Sequence, residues 1–100
     1  MAVIAKFKVE DIKLSRGLRV KLDAEGKPER DQSGREVYEK CAMRSIRMLP
    51  VYGNGDPHHP NTKFWQAATP SGELRLDIVN PDASSQFEVD QEWLIKMELA

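Results

Sequence analysis

Strict alternation of apolar and polar side chains, repeated in separate runs, most limits the folds open to this chain. In "ELRLDIV", Leu74, Leu76 and Ile78 share one parity while Glu73, Arg75 and Asp77 share the other. That period of two is the mark of a half-buried strand. "AKFKVE" repeats it with Ala5, Phe7 and Val9, after which Ile12 and Leu14 carry the apolar face on with even parity. One extra residue around Glu10-Asp11, a β-bulge, accounts for the slip. "LRVKLD" alternates again through Leu18, Val20 and Leu22, so the first two runs read as a hairpin turning near Arg16-Gly17. In residues 37–53, Cys41 and Met43 share one parity and Ile46 and Met48 the other. That pattern reads as a long strand with one or two bulges or a bend, with a helix as the competitor. "EWLIKMELA" closes the chain with Trp93, Ile95, Met97 and Leu99 on one side of a final strand.

The punctuation between these runs is polar. Residues 24–36, "AEGKPERDQSGRE", hold no apolar side chain larger than Ala24 and read as a flexible, solvated loop. Residues 53–62, with two glycines and two prolines, read as a second flexible loop. "KFWQAAT" then gives a short strand and "PSG" a tight turn, making 64–79 a hairpin. Asn80 suits a helix N-cap, Pro81 the first helical position and Asp82 the positive end of the helix dipole, so one or two helical turns are predicted over 81–87. The fold predicted is all-β with one short helical turn: a single domain over 1–100, built as a small β-barrel, with a two-sheet sandwich as the alternative. Phe7, Val9, Val20, Leu74, Leu76, Ile78, Phe87, Ile95 and Met97 are the expected core. So thin a core in 100 residues implies marginal stability or help from homo-oligomerisation.

Fifteen Lys and Arg against sixteen Asp and Glu leave no global basic field to recruit nucleic acid. The sign is uneven along the chain. Residues 1–50 hold twelve basic and eight acidic side chains, residues 51–100 three and eight. Cys41 is the only cysteine, so no disulfide forms within the chain and a reducing compartment is expected. The apolar patch near the start is too short for a signal-peptide core, and no run approaches a membrane span. A cytoplasmic protein without a membrane partner is predicted.

Little in the sequence carries chemistry. His58 and His59 follow Asp56, but adjacent histidines point apart along a backbone and no third histidine exists to complete a metal site. Ser71 lies in a turn whose own geometry explains its composition, and Cys41 has the inward parity of a core thiol. No glycine-rich phosphate loop occurs. The reading is non-enzymatic, without metal or cofactor. The most promising constellation is aromatic and basic: Trp65 beside Phe64, with Tyr52, Arg44, Arg47 and Lys63. Small β folds stack bases on such aromatics and hold phosphates with such arginines, which makes a nucleotide or a single-stranded nucleic acid the expected ligand. The competing reading packs Trp65 under the 53–62 loop and pairs the arginines with the abundant carboxylates.

The second half, "FWQAATPSGELRLDIVNPDASSQFEVDQEW", resembles a loose group of short proteins encoded by bacteriophages and prophages. Those proteins share an aromatic before a Thr-Pro-Ser-Gly-Glu turn, an alternating strand, an Asn-Pro/Glu-Ala segment, then Phe-Glu and a terminal strand. The resemblance covers roughly residues 46–99. Two features depart from it: "VDQEW" stands where the group often has Gly-Lys-Glu-Tyr, and the 24–36 segment falls outside the pattern. It implies a viral accessory or structural protein in the cytoplasm of a bacterial host. Such a protein would bind a nucleotide, a single strand or a host or viral protein, countering host defence being one such role. The alternative is a virion or assembly subunit that oligomerises. The resemblance supplies no catalytic residue.

Overall fold

The computed structural model describes residues 2–66 and 68–100. Strand β1 (Val3–Val20) is continuous for 18 residues and pairs antiparallel with β2 (Tyr38–Pro50) along most of its length. Strand β3 (Leu74–Ile78) adds to the outer edge of β2, and β4 (Glu92–Met97) to the outer edge of β1. The result is one open four-stranded sheet in the order β3-β2-β1-β4. The chain is mostly β, as predicted, but the sheet neither closes into a barrel nor doubles into a sandwich.

The bulge lies where the alternation places it. Val9 stands opposite Met48 and Asp11 opposite Arg47, with Glu10 unpaired between them. The kink lets Val9 exchange backbone hydrogen bonds with the turn entering β4: its N–H donates to the Gln91 carbonyl at 2.8 Å and its carbonyl accepts from Asp90 at 2.9 Å. Asp90 adopts φ 73°, left-handed backbone that glycine enters without steric cost.

One sheet face is apolar through the body. Val9, Ile46 and Met48 are buried at its centre, with Phe7, Ile12, Leu74, Leu76, Ile78, Phe87, Trp93 and Ile95 packed around them. The expected core is found in this cluster with two exceptions. Met97 is exposed at the sheet margin, and Val20 lies on the two-stranded part of the sheet, away from the cluster. The opposite face is polar: Ser45 Oγ donates to Asp77 at 2.6 Å, and Arg47 spans Asp11 and Glu73. The parity change within β2 is a genuine change of face. Cys41 and Met43 sit on the polar side, and no bulge interrupts β2.

Two sequence expectations need correction. The first is the hairpin at Arg16-Gly17. Gly17 lies mid-strand opposite Cys41, and a side chain there would come within 3.0 Å of Val79 Cγ1 and 3.1 Å of Met43 Sδ. The glycine serves a close approach, not a turn. The second is the 64–79 hairpin. Residues 60–64 form a helical turn, α1 (Pro60–Phe64), with Pro60 at its start and His59 Nδ1 accepting from the Asn61 amide as the cap. Ala67, within the run read as a strand, lies outside the described residues. The second helical turn, α2 (Pro81–Ser84), is capped by the Asn80 side chain as predicted.

Asn61 joins α1 to the sheet. Pro50 has no N–H to continue the ladder, and β2 leaves β1 there. The fully buried Asn61 amide takes the vacated place: Oδ1 accepts from the Lys6 N–H at 2.5 Å, and Nδ2 donates to the Lys6 carbonyl at 2.7 Å and the Val51 carbonyl at 2.6 Å. A side chain here does the work of a strand.

Beyond Arg44, β3 no longer flanks β2, and β1 has already lost β4 after Lys8. The two long strands continue alone as a ribbon arm. Its end is not a structureless loop. "DAEGK" (23–27) and "DQSGR" (31–35) form two matching turns, each with its Asp carboxylate accepting from amides two and four residues on. Gly26 and Gly34 take φ near 80° in them. The arm makes the molecule long: its extents are 60 × 30 × 19 Å, and its radius of gyration is 18.4 Å where a compact chain of this length has about 13 Å.

Candidate functional site

The five residues predicted to form a stacking and phosphate surface do not converge. Arg44 and Arg47 lie three apart on an unbulged strand, so they point to opposite faces. Arg47 is on the polar face, 2.9 Å from Asp11 and 3.2 Å from Glu73. Glu73 first and Asp11 second raise its pKa above the usual guanidinium value. A phosphate would have to displace both carboxylates. Trp65 is half-buried against Phe64, with ring centroids 4.5 Å apart, and lies 6.3 Å from Phe7. Lys63 lines a separate cleft of about 470 Å³ with Ile4, Phe64 and Leu94. Tyr52 is exposed on a further side, near Gly53 and Thr62. Of the five, Arg44 alone belongs to a larger surface.

That surface is the arm. Directly opposed residues of an antiparallel pair share a face. The pairs Leu14–Arg44, Arg16–Ala42, Leu18–Lys40 and Val20–Tyr38 therefore project together, in line with Ile12–Ile46 of the core. The apolar face of the sheet thus runs outward along the ribbon, where no element covers it. Leu14 is 71% exposed, Leu18 65% and Tyr38 58%. Alternating with them are Arg16, Lys40 and Arg44, none of which forms an ion pair among the described residues. The carboxylate nearest these side chains is that of Glu36 at the arm's far end, 3.4 Å from the Tyr38 hydroxyl. On the other face of the ribbon Arg19 pairs with Glu39 at 2.9 Å. A cleft of about 490 Å³ at the arm's root, bordered by Leu14, Arg44, Ile78 and Val79, continues the surface into the body.

The sequence showed the alternation of Leu14, Leu18 and Val20, but a half-buried strand was the natural reading of it. What separates an uncovered stripe from a core stripe is the shortness of β3 and β4, which local pattern does not reveal.

Among the described residues no group of three or more His, Cys, Asp or Glu is placed to hold a metal ion. No described helix is long and apolar enough to cross a membrane. Comparison with known protein families, with curated proteins and with solved structures finds no match.

Proposed function

We propose that this protein is a non-enzymatic binding subunit that works by joining protein chains, a virion or assembly component of phage type. The observation that carries the reading is the uncovered arm. The chain exposes 7634 Å², whereas a compact monomer of 11.4 kDa exposes about 5,800 Å². The surplus, roughly 1,800 Å², is more than the ~800 Å² that each partner gives to an ordinary protein interface. A two-stranded ribbon is at best marginal in water without a third strand or a packed face. A partner over the Leu14–Tyr38 face supplies that packing. Protein is favoured over a nucleotide or single strand because the stripe sets Leu14, Leu18, Val20 and Tyr38 among its cations, and because Arg47 is already paired with Asp11 and Glu73.

Sedimentation velocity across the micromolar range tests this. The expected result is a defined species heavier than one chain, or a heavier complex with a protein that co-purifies from infected cells. A bare monomer under all conditions, with no co-purifying protein, removes the reading.

A further inference from the structure

We infer that the outer edge of β2 beyond Arg44 takes up an extended segment of a different protein as an added strand in the line of β3, with an acidic side chain opposite Lys40 and apolar ones opposite Ala42 and Tyr38. This rests on the assembly reading and names the partner's chemistry and its mode of attachment.

The main chain points to it. No bulge interrupts β2, so its residues alternate in the side to which they turn their N–H and C=O groups. Both ends of the strand show which parity faces β1. The Val37 carbonyl accepts from the Lys21 N–H at 2.8 Å, and the Val51 N–H donates to the Lys6 carbonyl at 3.1 Å. The even residues therefore face outward. Arg44, Ile46 and Met48 meet β3 there, at Ile78, Leu76 and Leu74. β3 ends at Ile78, and among the described residues the outward groups of Ala42 and Lys40 have no hydrogen-bond partner. An unpaired edge of this kind is a template for a further strand. A third strand also supplies what a two-stranded ribbon lacks in water.

The side chains choose the guest. The cleft of about 490 Å³ at the arm's root lies along this edge, lined by Lys40, Ala42 and Arg44 with Leu14 and Ile78; among the described residues no carboxylate lines it. A second cleft of about 280 Å³, lined by Arg16, Lys40, Cys41 and Ala42, carries it outward. Opposed residues of a strand pair share a face. The guest residue opposite Ala42 therefore turns onto the apolar face, where the small alanine leaves room for a large side chain. Two residues on, a carboxylate opposite Lys40 makes the opposite-charge pair that stabilises cross-strand neighbours. A second copy's β2 fits the edge poorly. Twofold pairings centred on Glu39 or Lys40 set like charges against each other, and one centred on Cys41 needs the edge at Arg44, which Ile78 occupies.

Ala42→Pro tests it. The proline removes the outward N–H and sets its ring on the edge, where the bonds to β1 do not need that N–H and an edge strand tolerates proline. A random library of short linear peptides, displayed on ribosomes, is selected on the wild type and read against Ala42→Pro, both shown to be folded by circular dichroism and melting. The expected winners alternate, with Asp or Glu flanked two residues away on either side by apolar side chains, and bind Ala42→Pro roughly tenfold less tightly or worse. Hydrogen exchange in the complex is expected to slow at the Lys40 and Ala42 amides, and Lys40→Glu to turn the preference at the central position to Lys or Arg. Peptides that bind both proteins alike, or that leave those amides exchanging as before, overturn the edge inference, as does failure to enrich any. A heavier species of wild type alone in which those amides are protected makes the guest a second copy and overturns the choice of partner. The assembly reading survives each of these where the wild type still sediments as a heavier species. It falls with the inference where the wild type stays a bare monomer and no protein co-purifies.

Discussion

Replacing Asn61 with alanine removes the amide that continues the sheet where β2 turns away. Three bonds go with it: one accepted from the Lys6 N–H and two donated, to the Lys6 and Val51 carbonyls. The Lys6 carbonyl keeps a bond from the Val51 N–H at 3.1 Å, so the groups left without a partner are the Lys6 N–H and the Val51 carbonyl. Each buried group stranded in this way costs about 1–3 kcal/mol. Asn61→Ala is therefore expected to lose about 2–6 kcal/mol. That is a large share of the ~5–15 kcal/mol of a typical domain, and among the described residues only Ala5, Val9, Ile46 and Met48 form the buried apolar core. Urea unfolding followed by Trp fluorescence reads it as a lower midpoint at unchanged slope. Asn61→Asp is expected to be at least as harmful, since its carboxylate keeps the acceptor for Lys6 but faces two carbonyls. A loss below about 1 kcal/mol for Asn61→Ala would refute the idea that this side chain substitutes for a strand.

Three further outcomes follow from the same geometry. Ile46→Ala, at the centre of the buried cluster, should cost about 2–5 kcal/mol in the same assay. Gly53→Ala places a methyl 2.5 Å from Thr62 Oγ1 and should destabilise the α1 junction by about 1–3 kcal/mol, seen as a lower melting temperature. The Asp31 carboxylate is held below its usual pKa, by the Ser33 hydroxyl first and then the Arg35 amide. A depressed pKa favours the turn at pH above the unfolded value and loses that effect as pH falls through the folded one, so the Gly34 and Arg35 amide resonances should move only below about pH 4. Movement between pH 5 and 7 would contradict that assignment.

Local chemistry was legible in the sequence wherever one residue decides one conformation. The slip at Glu10-Asp11, the Asn80 cap and the Leu74–Ile78 strand are all read from neighbours a few positions apart. What escaped depends on distant partners. Gly17 looked like a turn because the reason for it, Val79, lies 62 residues away in sequence. Asn61 looked like loop polarity because its partners Lys6 and Val51 belong to other elements. The repeat of "DAEGK" and "DQSGR" was present in the residues, but in a loop without apolar side chains it carried no periodic signal. Arg44 and Arg47 were grouped by proximity in sequence, whereas an odd spacing on a strand divides them between faces.

Whether the arm's apolar face is covered in solution can be measured directly. Hydroxyl-radical footprinting, read by mass spectrometry, reports the exposure of individual side chains in dilute and in concentrated protein. If a partner covers the arm, Leu14, Leu18 and Tyr38 lose reactivity as the heavier species forms, while Tyr52 does not change. Assembly that leaves Leu14, Leu18 and Tyr38 as reactive as in the monomer would contradict the central claim.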